Sequence, residues 1–212
     1  QGKDIARGDL RVLLSTPRRV LKYVCSILIG VPIWFVIGVL VTFSPEFGKA
    51  LGLAAPPNPA YAVLYLYLGC ALGDFLSGGL SQFLRSRKKV VLIFLGAVAA
   101  LVALYLTDRG GTLNGFYGLC FALGLATGYW AVFVTMASEQ FGTNIRATVT
   151  TTVPNFVRGS LDPMLSCFQV AKARWGILPG AGLLGAAVLS MAAIALCFLD
   201  ETYGKDLDYL ER

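Results

Sequence analysis

The chain has 212 residues, 56% of them hydrophobic and only 14% charged, with a formal net charge of +6. A water-soluble domain of this length carries about 25% charged residues to coat its surface, so the composition excludes an ordinary soluble fold and points to the bilayer as solvent. The absence of histidine excludes His-based triads and His-ligated zinc.

The first segment, residues 1–19, reads as a cytoplasmic linker, and DLRVLLSTPRRVLKY reads as its short surface helix leading into the first span. Six apolar runs follow, at Val20–Phe43, Tyr61–Leu84, Val90–Thr107, Leu113–Ser138, Ala147–Lys172 and Ile177–Leu199. Each approaches the roughly 20 residues that a spanning helix needs. None shows the alternation of a membrane strand. The expectation is an all-α integral membrane protein, with a six-helix bundle over residues 20–199 and a cytoplasmic tail over residues 200–212.

In the first run, Gly30-Val31-Pro32 predicts a kink. The outer loop after it, SPEFGKALGLAAPPNPA, is rich in proline and glycine and predicts irregular chain. In the second run Gly69, Gly73, Ser77 and Ser81 recur every four residues, a stripe on which another helix can approach closely. Asp74 lies beside that stripe, and an intramembrane carboxylate needs a partner. Arg146 and the Arg85–Lys89 cluster are the candidates. The third and sixth runs hold almost no polar side chains and can face lipid all round. Gly124 and Gly128 repeat the small-residue spacing in the fourth. The five cysteines all fall within apolar runs, without CxxC pairs or histidine, and read as small packing residues.

The fifth run is the anomaly. It carries Asn155, Arg158 and Asp162 at i, i+3 and i+7, with Pro154 and Pro163 among them. Arg158 follows Arg146 by 12 residues, or about 18 Å at helical rise, which places it near mid-membrane. A charge there costs at least about 2.5–3.5 kcal/mol on insertion scales. Two explanations stay open: a substrate-lining face on which Arg158 binds a carboxylate or phosphate, or a self-contained Arg158–Asp162 packing pair. Asp162 could carry a proton or hold Arg158 until substrate competes. Trp34, Tyr65, Tyr117 and Trp130 are candidate aromatic walls of the same cavity.

Basic residues sort by loop. Lys3, Arg7, Arg11, Arg18, Arg19, Lys22, Arg85, Arg87, Lys88, Lys89, Arg146, Lys205 and Arg212 fall on one side, against Lys49, Arg109, Lys172 and Arg174 on the other. The bias predicts both termini in the cytoplasm of a multi-pass plasma-membrane protein, the inner membrane if the cell is prokaryotic. With the charge explained by topology, no nucleic-acid partner is expected.

Three segments carry a family resemblance. GDFLSGGLSQFLRSRKK joins the second and third runs, SEQFGTNIRAT follows the fourth, and DETYGKDLDYLE follows the sixth. In order and position they resemble the carboxyl-terminal half of a major facilitator superfamily (MFS) transporter. The first is similar to the Gly-x-Leu-Ser-Asp-Arg-x-Gly-Arg-Arg loop motif, although Gln82 and Phe83 stand where that motif has Asp-Arg. The second is similar to the Glu-x6-Arg motif through Glu139 and Arg146. The third is similar to a Pro-Glu-Thr-x-Gly tail of sugar-porter-like members, with Asp200 in place of the proline.

The resemblance implies that the first, second, fourth and fifth helices line a cavity and that the third and sixth are peripheral. It implies a secondary transporter half, proton-coupled, moving a small polar or anionic organic solute by alternating access. Sugars are the alternative substrate class, and a non-transporting interaction protein is the alternative function. Asp74, Arg85, Arg87, Lys88, Glu139 and Arg146 are the expected gating residues. The expected partners are the solute, protons, the bilayer and a complementary six-helix half, either upstream (the chain begins with Gln1, which reads as a fragment) or from a second copy. No cofactor and no enzymatic activity are expected, since no nucleophile–base pair and no HExxH motif is present.

Overall fold

The computed structural model describes residues 10–205, and among these there is helix and no strand. The helices are α1 (Leu10–Leu13), α2 (Pro17–Leu28), α3 (Val31–Phe35), α4 (Ser44–Leu51), α5 (Pro59–Leu84), α6 (Arg87–Thr107), α7 (Leu113–Thr127), α8 (Trp130–Glu139), α9 (Thr143–Gly159), α10 (Leu161–Trp175) and α11 (Ile177–Phe198), with a π-helical turn at Val36–Val41. Five stretches are long and apolar enough to cross a membrane: Pro17–Val41, Pro59–Leu84, Arg87–Thr107, Leu113–Glu139 and Ile177–Phe198. These five fit a multi-pass membrane protein. Lys3, Arg7 and Arg212, with residues 1–9 of the expected linker and 206–212 of the expected tail, lie outside the described residues.

The first stretch bends where Gly30-Val31-Pro32 predicts it. Pro32 has no N–H to return to the carbonyl of Leu28, so α2 ends and α3 begins anew. Beyond α3 the chain widens into the π turn, where Thr42 N–H bonds to the carbonyl of Ile37, five residues back. The outer loop is not wholly irregular. Pro45 sits in the first turn of α4, Glu46 near its positive end and Lys49 in its last turn, and Gly52 closes it at φ 80°. Only residues 52–58 lack a helix.

Close packing centres on α5 and α7. The buried face of α5 is Ala62, Leu66, Gly69, Gly73, Ser77 and Ser81, the small-residue stripe. A methyl at Gly69 would overlap the Phe121 carbonyl oxygen, one at Gly73 that of Leu125, and one at Gly124 that of Leu66. The backbones therefore touch, and dispersion between them replaces the hydrophobic drive that lipid removes.

Two expected single helices are broken. The fourth run divides at Gly128-Tyr129, where Gly128 lies against the backbone of Gly73 and the Tyr129 hydroxyl donates to the carbonyl of Ile29, 2.9 Å away. The fifth divides at Ser160, because Pro163 cannot donate to Gly159 and its ring crowds that carbonyl. The third and sixth runs do not face outward all round. α6 buries Val91, Phe94, Leu95 and Val98, and α11 buries Gly185, Val188, Ala192 and Leu196. Of the five long apolar stretches α5 is the least buried, and it presents Tyr61, Tyr67, Leu72, Phe75 and Phe83.

Candidate functional site

A cavity of about 480 Å³ opens midway along the bundle. Its lining is Ile33 and Trp34 of α3, Ile37 of the π turn, Tyr67, Cys70, Ala71 and Asp74 of α5, Thr127 at the end of α7, Trp130 at the start of α8, and Arg158 of α9. These come from the first, second, fourth and fifth apolar runs, and none of the lining residues comes from the third or sixth.

Each break in helix geometry feeds this cavity. The bend at Pro32 turns Ile33 and Trp34 into it. The break at Gly128-Tyr129 leaves the first N–H groups of α8 without intrahelical carbonyls. Asp74 takes one of them, its Oδ1 accepting from Ala131 N–H at 3.1 Å. The carboxylate thus caps a half-helix whose N-terminus carries partial positive charge. Asp74 forms no ion pair with Arg146 or with the Arg85–Lys89 cluster, so the expected latch is replaced by a helix cap.

Arg158 lies with its guanidinium carbon 5.7 Å from the centre of the Trp130 ring, within cation–π range. It forms no ion pair with Asp162. The break at Ser160 explains this, because it separates the two residues onto different helices. Asp162 is exposed in the first turn of α10, where the helix dipole favours it, and Asn155 is exposed on α9; neither lines the cavity. The packing-pair explanation for Arg158 is therefore not met by this geometry.

Tyr65 and Tyr117 also stand outside the cavity. Their rings stack at 5.5 Å, and the Tyr117 hydroxyl accepts from the Asn58 N–H at 2.8 Å, which ties them to the start of α5. Sequence reasoning missed Tyr67, Cys70, Ala71 and Thr127. The signal was present on α5: Tyr67, Cys70, Ala71 and Asp74 share one face at i, i+3, i+4 and i+7. The side of α7–α8 on which Thr127 lies depends on the break, which no local signal marked.

A second polar cluster gathers at the end of the bundle where α2, α6, α8 and α11 meet. Arg87 grips Glu139 with both ends of its fork, Nε to Oε2 at 2.6 Å and Nη2 to Oε1 at 2.8 Å. Glu139 is nearly buried. Lys88 Nζ donates to the carbonyl of Leu199, the residue that follows α11, 2.6 Å away. Glu201 receives the Ser86 hydroxyl and the N–H groups of Arg87 and Lys88, capping α6 from a distant part of the chain. Asp200 pairs with Lys22 at 2.6 Å, and the Gln140 amide brackets its backbone, donating to its carbonyl and accepting from its N–H.

The hydrogen bond from Lys22 holds the Asp200 carboxyl below the usual carboxylate range. Burial alone would raise Glu201. The Ser86 hydroxyl and the backbone N–H groups of Tyr203, Arg87 and Thr202 outweigh it and keep Glu201 low as well. Of the other expected gating residues, Arg146 donates to the carbonyl of Phe141, and Arg85 is exposed in the turn before α6 at φ 46°.

The arrangement can bind an organic anion in an aromatic, water-accessible cleft and can close one end of the bundle with ion pairs. Among the described residues no group of three or more His, Cys, Asp or Glu is placed to hold a metal ion. Searches for related proteins match no family model and no curated protein to this chain.

Proposed function

We propose that this chain is a six-helix half of an MFS-type secondary transporter, which moves a small polar or anionic organic solute by alternating access. The observation that carries the reading is Arg158, an arginine exposed in an aromatic cavity midway along the bundle that forms no ion pair among the described residues. A charge at that depth is costly, and a structural role would have given it a partner.

The reading takes α9 and α10, of 17 and 15 residues, together as one broken span, the fifth in chain order, beside the five long apolar stretches. Interrupted helices around a mid-membrane site are what alternating-access carriers use. The cluster of Arg87, Glu139, Lys22, Asp200 and Glu201 then serves as the cytoplasmic gate, closed in this structure, and both termini lie in the cytoplasm. A complementary six-helix bundle, from the same full-length protein or from a second copy, supplies the other wall. Asp74 is the carboxylate in the cavity and takes the proton-coupling role first considered for Asp162.

The test is gradient-driven flux in proteoliposomes with the full-length protein, using carboxylates, phosphate esters and sugars. The unaltered protein should transport an anion, and Arg158→Ala, still folded, should lose that flux by at least tenfold. Anion flux left intact by the substitution would make Arg158 structural and return sugars to the front. No flux of any solute would support a non-transporting interaction protein.

A further inference from the structure

The cavity holds one positive and one negative side chain, and they do not pair. Arg158 is exposed on α9, its guanidinium carbon 5.7 Å from the centre of the Trp130 ring. Asp74 is half-buried on α5, where its Oδ1 accepts from the Ala131 N–H at 3.1 Å. The first turn of α8 thus sets both charges, Trp130 through its ring and Ala131 through its backbone. No ion pair joins Arg158 to Asp74 among the described residues. Each charge keeps hydrogen-bonding capacity. The guanidinium N–H groups donate to no described residue, their contact being the Trp130 ring. A carboxylate has about four acceptor positions, and the N-terminus of α8 uses part of those on Asp74.

The neutral groups set no charge requirement. The Tyr67 hydroxyl, exposed on α5, both gives and accepts, and the Trp130 indole gives. Thr127 Oγ1 is committed to the carbonyls of Leu123 and Gly124. Ile33, Ile37 and Ala71 make the rest of the wall apolar. The two charges therefore choose the ligand class. An organic monoanion would satisfy Arg158 and set a like charge against Asp74. An organic cation would do the reverse. A polyol can hydrogen-bond to both yet brings no counter-charge, and near an effective dielectric constant of about 20 opposite charges attract about fourfold more strongly than in water. A zwitterion brings the opposite charge to each. Its nitrogen must be a primary ammonium, because a quaternary one has no N–H for the open Asp74 acceptors. The volume of about 480 Å³ falls within the range of small-molecule sites.

We propose that the cavity binds an amino acid in its zwitterionic form, with the carboxylate on Arg158, the primary ammonium on Asp74 and the carbon skeleton against the apolar and aromatic walls. The inference rests on the transporter reading for the cavity's role as a substrate site, and binding can be measured apart from transport. One carboxylate cannot hold an ammonium and a coupling proton together, so substrate and proton compete at Asp74.

Equilibrium binding to the full-length protein in nanodiscs would use radiolabelled leucine, phenylalanine and γ-aminobutyrate, the last with its charges further apart. Each is compared with the acid that lacks the amine, with the amide that lacks the carboxylate, and with glucose. One of the three amino acids should bind at least tenfold more tightly than both of its singly charged relatives and glucose. Asp74→Asn keeps an acceptor for α8 and removes the negative charge. It should bring the amino acid and its amine-free acid to equal affinity. Arg158→Gln keeps N–H donors and removes the positive charge. It should bring the amino acid and its amide to equal affinity. A purely structural role for either residue would shift all ligands together.

An amine-free acid or an amide that binds as tightly as its amino acid, a preference for glucose, or binding of none of the three amino acids would each overturn the proposal on the unaltered protein, with no variant needed. So would variants that weaken an amino acid and its relatives by the same factor. The two readings fail separately. Amino-acid binding without flux in proteoliposomes keeps the site and refutes transport. Flux of a sugar or a simple anion by a protein that binds none of the amino acids keeps the transporter and refutes the zwitterion.

Discussion

Asp74 and Glu201 do similar work at two helix ends. Each sets a carboxylate against backbone N–H groups that no carbonyl of their own helix can reach, Asp74 at α8 and Glu201 at α6. Asp74 carries two separable properties, an acceptor oxygen and a titratable charge. Asp74→Asn keeps the acceptor and removes the charge, whereas Asp74→Leu removes both. The expected outcome is that Asp74→Leu loses about 0.5–2 kcal/mol, the range for a lost helix cap, while thermal unfolding of Asp74→Asn stays near the unaltered protein. In flux assays Asp74→Asn should flatten the pH dependence despite its retained stability. A pH profile that survives in the asparagine variant would take Asp74 out of the proton path and leave it as a cap alone.

At the scale of helices, the stripe of Gly69, Gly73, Ser77 and Ser81 was legible because it depends only on spacing along one helix. It became the contact with α7. The Glu139 end of the cavity-forming chain was legible as a motif, but its partner among Arg85, Arg87, Lys88 and Arg146 was not, since that choice is made in space. The breaks at Gly128 and Ser160 divide runs that are continuous in hydropathy, and tertiary contacts settle them: Gly128 against Gly73, and the Tyr129 hydroxyl on Ile29. The same dependence hid Thr127, and it parts Asp162 from Arg158, which a straight helix would have placed on one face; Asn155 stays on α9 with Arg158 but is not among the cavity's lining residues. Gly124 tests the packing argument against helix propensity. Alanine at Gly124 would meet the backbone of Leu66, which cannot yield as a side chain can, and should cost about 1–3 kcal/mol. Alanine at Gly96, in the interior of α6 with open space around it, should be neutral or should stabilise by about 0.4–1 kcal/mol. Thermal unfolding in one detergent reads both; equal shifts would remove close backbone approach as the reason for the stripe.

Across the whole molecule, residues 199–203 connect the two sides of one bundle end. Asp200 reaches Lys22 of α2 and Gln140 beyond α8, Glu201 reaches the start of α6, and the Tyr203 hydroxyl donates to Gln82 of α5 at 3.1 Å. Both carboxyls are held below their ordinary range. A carboxylate with a depressed value favours the docked state fully at pH above its ordinary value, about 4, and loses that effect as pH falls through the depressed one. The docked tail should therefore be insensitive to pH between about 8 and 5 and should release only in acid, below about 4. Spin labels on cysteines at Lys205 and Arg85, both exposed, would follow the distance between tail and α5–α6 turn. Glu201→Gln should lengthen that distance at neutral pH, because the amide cannot accept from Ser86 and four backbone N–H groups as strongly as a carboxylate. Lys22→Gln should do so less, since Asp200 is the more exposed of the two sites and keeps its bonds to Gln140. A tail that loosens between pH 8 and 6 would mean that a group other than these carboxylates governs docking, and a tail that stays docked in Glu201→Gln would make the backbone clasp of Gln140 the main fastening.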